Sequence, residues 1–266
     1  MKTTQKDDEK PAMNAADRIR ALEQELAKQA EVKRQNAETW REAVHDLRGF
    51  LGVIKNSITA LNRENVPEPH RGEFAAMLRD SIAAMNAVLN DLSCLASLQA
   101  GHEQCKVGSF DANAVINELC EELQPVAAGR GLLLNAPGAA TLIVDGDAGK
   151  VRRIVTNLVQ IAMHSIKRGA VTVTCEKCGA GGIGLWALRV QWTDADAEPE
   201  PKRSPGSSIK PPAQLPSAAI ARSIVQGLCD LLGANLQSDA DVGKGNAFIV
   251  TFPRRSDADP AQGSTS

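Results

Sequence analysis

The sequence predicts an α+β molecule: a helical hairpin that pairs with a second copy into a four-helix bundle, followed by an α/β sandwich. Three observations carry that reading. Apolar residues step by three and four without a slip from Ala37 to Leu61. After Gly101 the composition changes, and short β-branched runs alternate with helical stretches. Aromatic residues are scarce, with three Trp, five Phe and no Tyr, so the apolar content rests on Ala, Leu, Val and Ile and favours helix-rich packing.

The length of 266 residues fits two domains at roughly 150 residues each. Thirty Lys+Arg against thirty-two Asp+Glu leave a net charge of −2. That is no basic field for nucleic acid, and few aromatics are present to stack bases. The opening MKTTQKDDEKP is charged and lacks the apolar core of a signal peptide. No stretch approaches the roughly 18 consecutive apolar residues of a membrane helix. The expectation is a cytoplasmic protein with no membrane span and no nucleic-acid partner.

Each element follows in order. Residues 1–14 read as a disordered lead. The first helix runs from about Asp17 to Asn62, and Ala37, Trp40, Val44, Leu47, Leu51, Ile54, Ile58 and Leu61 form its seam. Glu64-Asn65-Val66-Pro67-Glu68-Pro69 breaks it. A second helix from about Arg71 to Gln99 puts Phe74, Leu78, Ile82, Met85, Leu89 and Leu92 on one face and ends at Gly101. One hairpin cannot bury a seam that wide, so residues 15–101 are expected to dimerise.

Residues 102–254 read as the sandwich. Asp111 caps a helix to Leu123; Leu132–Leu134 and Thr141–Val144 read as strands; Lys150–Lys167 is helical. Strands follow at Ala170–Cys175 and Leu185–Trp192. The stretch 195–216 holds six of the thirteen prolines and reads as loop. A helix from Ala218 to Leu232 and a strand from Ala247 to Phe252 close the domain, and 255–266 is a polar tail.

The six cysteines are expected to be reduced thiols. Cys175-Glu-Lys-Cys178 has ligand spacing, yet no second pair completes a four-ligand zinc site, so no metal is assigned. Gly179-Ala-Gly-Gly-Ile-Gly184 fits G-x-G-x-x-G but lies between strands, and a hairpin turn is the better reading than a dinucleotide site.

The candidate chemistry lies at His45-Asp46. With Val44 and Leu47 as positions a and d, His45 falls at b, facing solvent, and Asp46 at c. An exposed imidazole beside a carboxylate is suited to attack on a phosphoryl group, because the acid can orient the ring and hold its proton.

The stretch Val44-His-Asp-Leu-Arg-Gly-Phe-Leu-Gly-Val-Ile54 resembles the phospho-acceptor helix of two-component sensor histidine kinases. Further matches follow in that family's order. Leu95-Ala-Ser-Leu98 looks like the hairpin exit, and Phe110-Asp-Ala-Asn113 like the start of the ATP-binding domain. Val144-Asp-Gly-Asp147 with Val151–Val159 looks like the asparagine-box helix, and Leu231–Ser238 with Val242–Phe248 and Pro253 like the closing segment. The resemblance spans about residues 37–254. It implies a histidine-kinase ATPase-type sandwich, Mg-ATP as cofactor, and a response-regulator receiver domain as partner. Within it His45 is the phospho-acceptor, and Asn157 and Asp194 belong to a nucleotide site.

The departures fall on that nucleotide site. The second asparagine of the box is replaced by Ile161, which cannot ligate a hard cation. His164 stands near the usual Lys. Asp196 takes the place of the glycine after Asp194, and Ser217-Ala-Ala-Ile-Ala-Arg222 matches the second glycine box without its glycines. Gly49 stands where some relatives place the Thr or Asn that orients water for dephosphorylation. The favoured expectation is therefore phosphoryl relay through His45 with an impaired nucleotide site, the phosphate coming from elsewhere or the chain modulating another histidine kinase. An active ATP-dependent kinase and a non-catalytic dimeric interaction protein stand as the other readings.

Overall fold

The structure is a computed structural model that describes residues 15–63, 66–138, 140–178, 185–194, 218–241 and 245–253. The expected disordered lead and tail, the Gly179–Gly184 turn and the 195–216 loop lie outside the described residues. The chain divides into two compact units, 1–41 and 42–266. Helix α1 (Ala15–Leu61) begins in the first and ends in the second.

In the first unit, α1 is solvated nearly all round. Arg34 pairs with Glu31 at 2.8 Å and with Glu38 at 3.4 Å, one turn away on either side. Ile19, Leu22 and Leu26 are exposed.

In the second unit, α1 is followed by α2 (Glu68–Gln99), which starts behind Pro67 and accommodates Pro69 in its first turn, where no intrahelical N–H is needed. Gly101 closes it at φ 68°, a left-handed conformation that glycine adopts at little cost. The residues buried on α1 are Ala43, Phe50 and Ser57; those on α2 include Ser81, Val88 and Leu95. Both sets repeat every seven. The apolar residues one position later, Val44, Leu51 and Ile58 on α1 and Ile82 and Leu89 on α2, stay exposed at 42–53%. Half of the predicted seam therefore has no cover within the single chain.

The sheet domain is built from β1 (Gly108–Asp111), α3 (Ala112–Gly129), β2 (Leu132–Asn135), β3 (Ile143–Gly146), α4 (Ala148–Ser165), β4 (Gly169–Cys178), β5 (Leu185–Asp194), α5 (Ala218–Leu232), β6 (Asn235–Asp241) and β7 (Gly245–Phe252). Five strands pair in the order β2-β4-β5-β7-β6, with β2-β4 parallel and the rest antiparallel; β1 and β3 form a separate antiparallel pair. On the sheet, Val171, Val173, Leu188, Val190 and Val250 are fully buried, as are Ile154 of α4 and Ile220 and Ile224 of α5. Trp186 stacks on Phe252 at 4.2 Å. This is a mixed sheet covered by helices, as expected.

Three details differ from the expectation. Helix α3 continues past Pro125 to Gly129, because Ala127 in its last turn is fully buried and anchors it. Strand β6 departs from the expectation: it is an edge strand, largely exposed over 235–239, with few apolar residues. Among the described residues, α2 is also the one helix long and apolar enough to cross a membrane, by length and composition only. Its Val88, Leu92 and Leu95 are buried within the hydrophobic core that includes residues of α4 and α5, while 28% of its apolar window as a whole is buried.

Candidate functional site

The expected acceptor stands open. His45 lies two residues after buried Ala43, and its side chain is 87% exposed. The Asp46 side chain is 27% exposed, and its Oδ1 lies 3.6 Å from His45 Nδ1. That is an ion-pair distance for a protonated ring and too long for a hydrogen bond. A small approach of the carboxylate would hold the Nδ1 proton and leave Nε2, on the far side of the ring, as the outward nucleophile.

The expected nucleotide residues stand differently. Asn157 is 3% exposed on α4, and its Nδ2 donates to the Arg153 carbonyl one turn back at 2.8 Å. Its Oδ1 is buried and finds no partner among the described residues. One turn on, Ile161 is buried in the core. Asp194 is exposed at the end of β5, opposite Gly169 across the ladder. The exposed His164 sits in the last turn of α4. Arg222, at the start of α5, lies over the Phe248 ring at 5.8 Å. Asp196, Ser217 and Val242–Lys244 lie outside the described residues.

Beside Asn157 a cleft of about 310 Å³ opens between α2 and α4, lined among others by Ala87, Asp91, Arg153 and Gln160. Asp194 is not among its lining residues. The structure thus does not join Asn157 and Asp194 in that cleft.

Cys175 donates its Sγ proton to Asn113 Oδ1 at 3.0 Å. Among the described residues no group of three His, Cys, Asp or Glu side chains is placed to hold a metal.

Sequence reasoning missed a set of polar ties around α4. Asp147 caps the helix through Lys150 N at 3.0 Å and also accepts Lys106 N at 2.8 Å. Lys150 Nζ meets Glu103 Oε2 at 2.8 Å, and Arg153 Nη2 meets Asp91 Oδ1 at 3.1 Å. Burial alone pushes Lys150 down, but Glu103, with Asp147, leaves it above its ordinary value. Burial raises Asp91 in spite of Arg153. The partners lie 41 to 62 residues apart in sequence, so no local pattern announces them.

No protein-family model matches the chain. Among curated proteins it is 25% identical over 189 residues to the histidine protein kinase DivJ of Caulobacter vibrioides, covering 68% of this chain and 31% of that one. It is 22% identical over 232 residues to the autoinducer 2 sensor kinase/phosphatase LuxQ of Vibrio cholerae, covering 84% and 27%. Among solved structures, the Acinetobacter baumannii histidine kinase AdeS matches with a TM-score of 0.58 at 14% identity, over 80% of this chain and 98% of that one. Full-length ShkA, solved in complex with AMPPNP, matches with a TM-score of 0.53 at 19% identity, over 85% and 47%.

Its curated and structural neighbours are sensor histidine kinases, which supports the two-component histidine kinase family for this chain. At these identities the solved structures bear on the fold: a helical hairpin region followed by the mixed sheet of histidine kinase catalytic domains. The chain spans 8–31% of the length of the curated histidine kinases it matches.

Proposed function

We propose that this histidine kinase relative relays phosphoryl groups through His45, to or from an aspartate of a response-regulator receiver domain, and that its own nucleotide site is impaired. The observation that carries the reading is the 87% exposed imidazole with Asp46 beside it on a solvated helix face. With the Nδ1–H held toward Asp46, the Nε2 lone pair attacks the phosphorus of an aspartyl phosphate. The N–P bond forms as the P–O bond breaks, and the receiver carboxylate leaves with the electron pair. Asp46 then stabilises the positive phosphoimidazolium ring, and no proton need move in the transfer.

Mg-ATP, which the family resemblance implies, does not fit the described residues. Ile161 offers no oxygen to a cation, and the Asn157 carboxamide is turned onto its own helix. No step is therefore drawn through nucleotide. The unpaired Asn157 Oδ1 is the one observation that favours the active-kinase reading, since a bound ligand would satisfy it. Calorimetric titration with ATP and magnesium separates the two. No micromolar binding is expected; micromolar affinity, or labelled γ-phosphate on the protein alone, would establish the kinase.

We further read the chain as a homodimer, because the exposed stripe Val44, Leu51, Ile58, Ile82 and Leu89 is the apolar face a second hairpin would cover. Six free cysteines support a reducing, cytoplasmic setting.

A further inference from the structure

Three of the polar ties share one stripe of α4. Asp147, Lys150 and Arg153 follow at spacings of three, and Asn157 comes four later, so Lys150, Arg153 and Asn157 lie on one face of the helix. Beyond its own helix, that stripe grips the connection that leaves the hairpin, at Lys106 N and the Glu103 carboxylate, and α2 itself at the Asp91 carboxylate. Arg153 also reaches the Asn90 carbonyl at 3.4 Å. Beside these, α2 packs on α5 so closely that a Cβ at Gly227 would lie 3.3 Å from Leu98 Cδ1. The cleft that Asn157 lines lies between α2 and α4, bridged by the Asp91–Arg153 pair.

We propose that Asp147, Lys150 and Arg153 form a latch that fastens the Asn157 face of α4 to the hairpin exit, and that releasing it opens the α2/α4 cleft. The purpose assigned to the latch, keeping Asn157 shut away, rests on reading that residue as part of a nucleotide site; the latch itself rests on the ties. Asp91 is only 16% exposed, so its carboxylate needs its partner. With Arg153 removed, the charge either reaches water by opening the cleft or takes up a proton. Breaking one member of such a pair is far more disruptive than neutralising both.

The test is hydrogen–deuterium exchange on the full chain, read over the α2 segment 88–98 and the α4 segment 150–160. Arg153→Ala is expected to speed exchange in both segments by about tenfold or more. Glu103→Gln, at a partly exposed tie, is expected to give about threefold. The charge swap Asp91→Arg with Arg153→Asp is expected to bring exchange back toward the parent. Exchange within twofold of the parent in Arg153→Ala overturns the latch. So does an equal rise across β4, β5 and β7, which would mark a general loss of fold, and so does a charge swap that fails to restore. None of these readouts needs phosphate, so a failure of His45 to accept phosphate would leave the latch standing, and the reverse.

Discussion

His45 and Asn157 are the two residues between which a histidine kinase reaction would run, and the molecule treats them in opposite ways. The acceptor side is presented: a solvated ring beside a carboxylate, on a helix whose neighbouring apolar stripe awaits a partner. On the side that the resemblance assigns to nucleotide stand a buried carboxamide bonded to its own helix, an isoleucine one turn on, and an ion pair from Arg153 to Asp91 of the hairpin. A side chain that exchanges phosphate with another protein must be reachable. A site that holds nucleotide must offer oxygens and room. Here exposure meets the first requirement; for the second the cleft beside Asn157 gives room but Ile161 offers no oxygen, and this supports the proposed relay.

The largest expected effect sharpens the acceptor side of that contrast. Leu51→Asp together with Ile58→Asp places two charges in the proposed dimer face, each costing several kcal/mol if buried unpaired, on the order of 2–7 kcal/mol per polar group. Light scattering is expected to show a monomer, with the parent a dimer at micromolar concentration. A monomeric parent would remove the four-helix bundle from the account.

Next comes the sheet domain. Replacing Asp111 by Ala removes an acceptor that serves two backbone N–H groups, Asn113 and Leu142, at 3.0 Å each. Thermal unfolding is expected to show a loss of about 1–3 kcal/mol, more than an isolated helix cap gives. A loss below that range would mean that α3 and the segment before β3 hold together without it.

Third is a pH effect with a definite sign. Burial pushes Cys229 up to about 12 and Cys120 and Cys175 up to about 11, from an ordinary 9.0. The folded state keeps these protons where the unfolded state has lost them. The thiols' contribution to stability is therefore flat below pH 9 and falls as pH climbs from 9 toward 12. Alkylation at pH 8 is expected to leave the three thiols unmodified until denaturant is added. Early labelling would contradict the packing around α3, β4 and α5.

The smallest effect is at Asp46. Asp46→Asn keeps the shape and removes the charge, and is expected to slow loading of His45 by about tenfold without abolishing it. No change would mean that the 3.6 Å neighbour plays no part in the transfer.

Much of this was legible beforehand, and the reasons are physical. Helix α5 matches its expected span of Ala218–Leu232, because its apolar period and buried face agree. The Asp111 cap and the outward His45 followed from local chemistry. The heptad pattern showed which residues are apolar but not which are covered: Ala43, Phe50 and Ser57 are buried within the chain, and Val44, Leu51 and Ile58 are left outside. Of the buried set, the small Ala43 and the polar Ser57 give little hydrophobic signal. Strand β6 was missed for the same reason, since Asn235-Leu-Gln-Ser-Asp239 carries one apolar residue in five. The ties on α4 join residues far apart in the chain, which one sequence cannot pair.

The central claim is tested most directly by following labelled phosphate onto His45. The full chain would be incubated with labelled Mg-ATP alone and, separately, with response-regulator receiver domains carrying labelled aspartyl phosphate. The account predicts label from a receiver and none from ATP. That label should be acid-labile and alkali-stable, as an N–P bond is, and absent from a His45→Ala chain that still dimerises. Label that persists in His45→Ala, or a parent chain that no receiver can load, would contradict it.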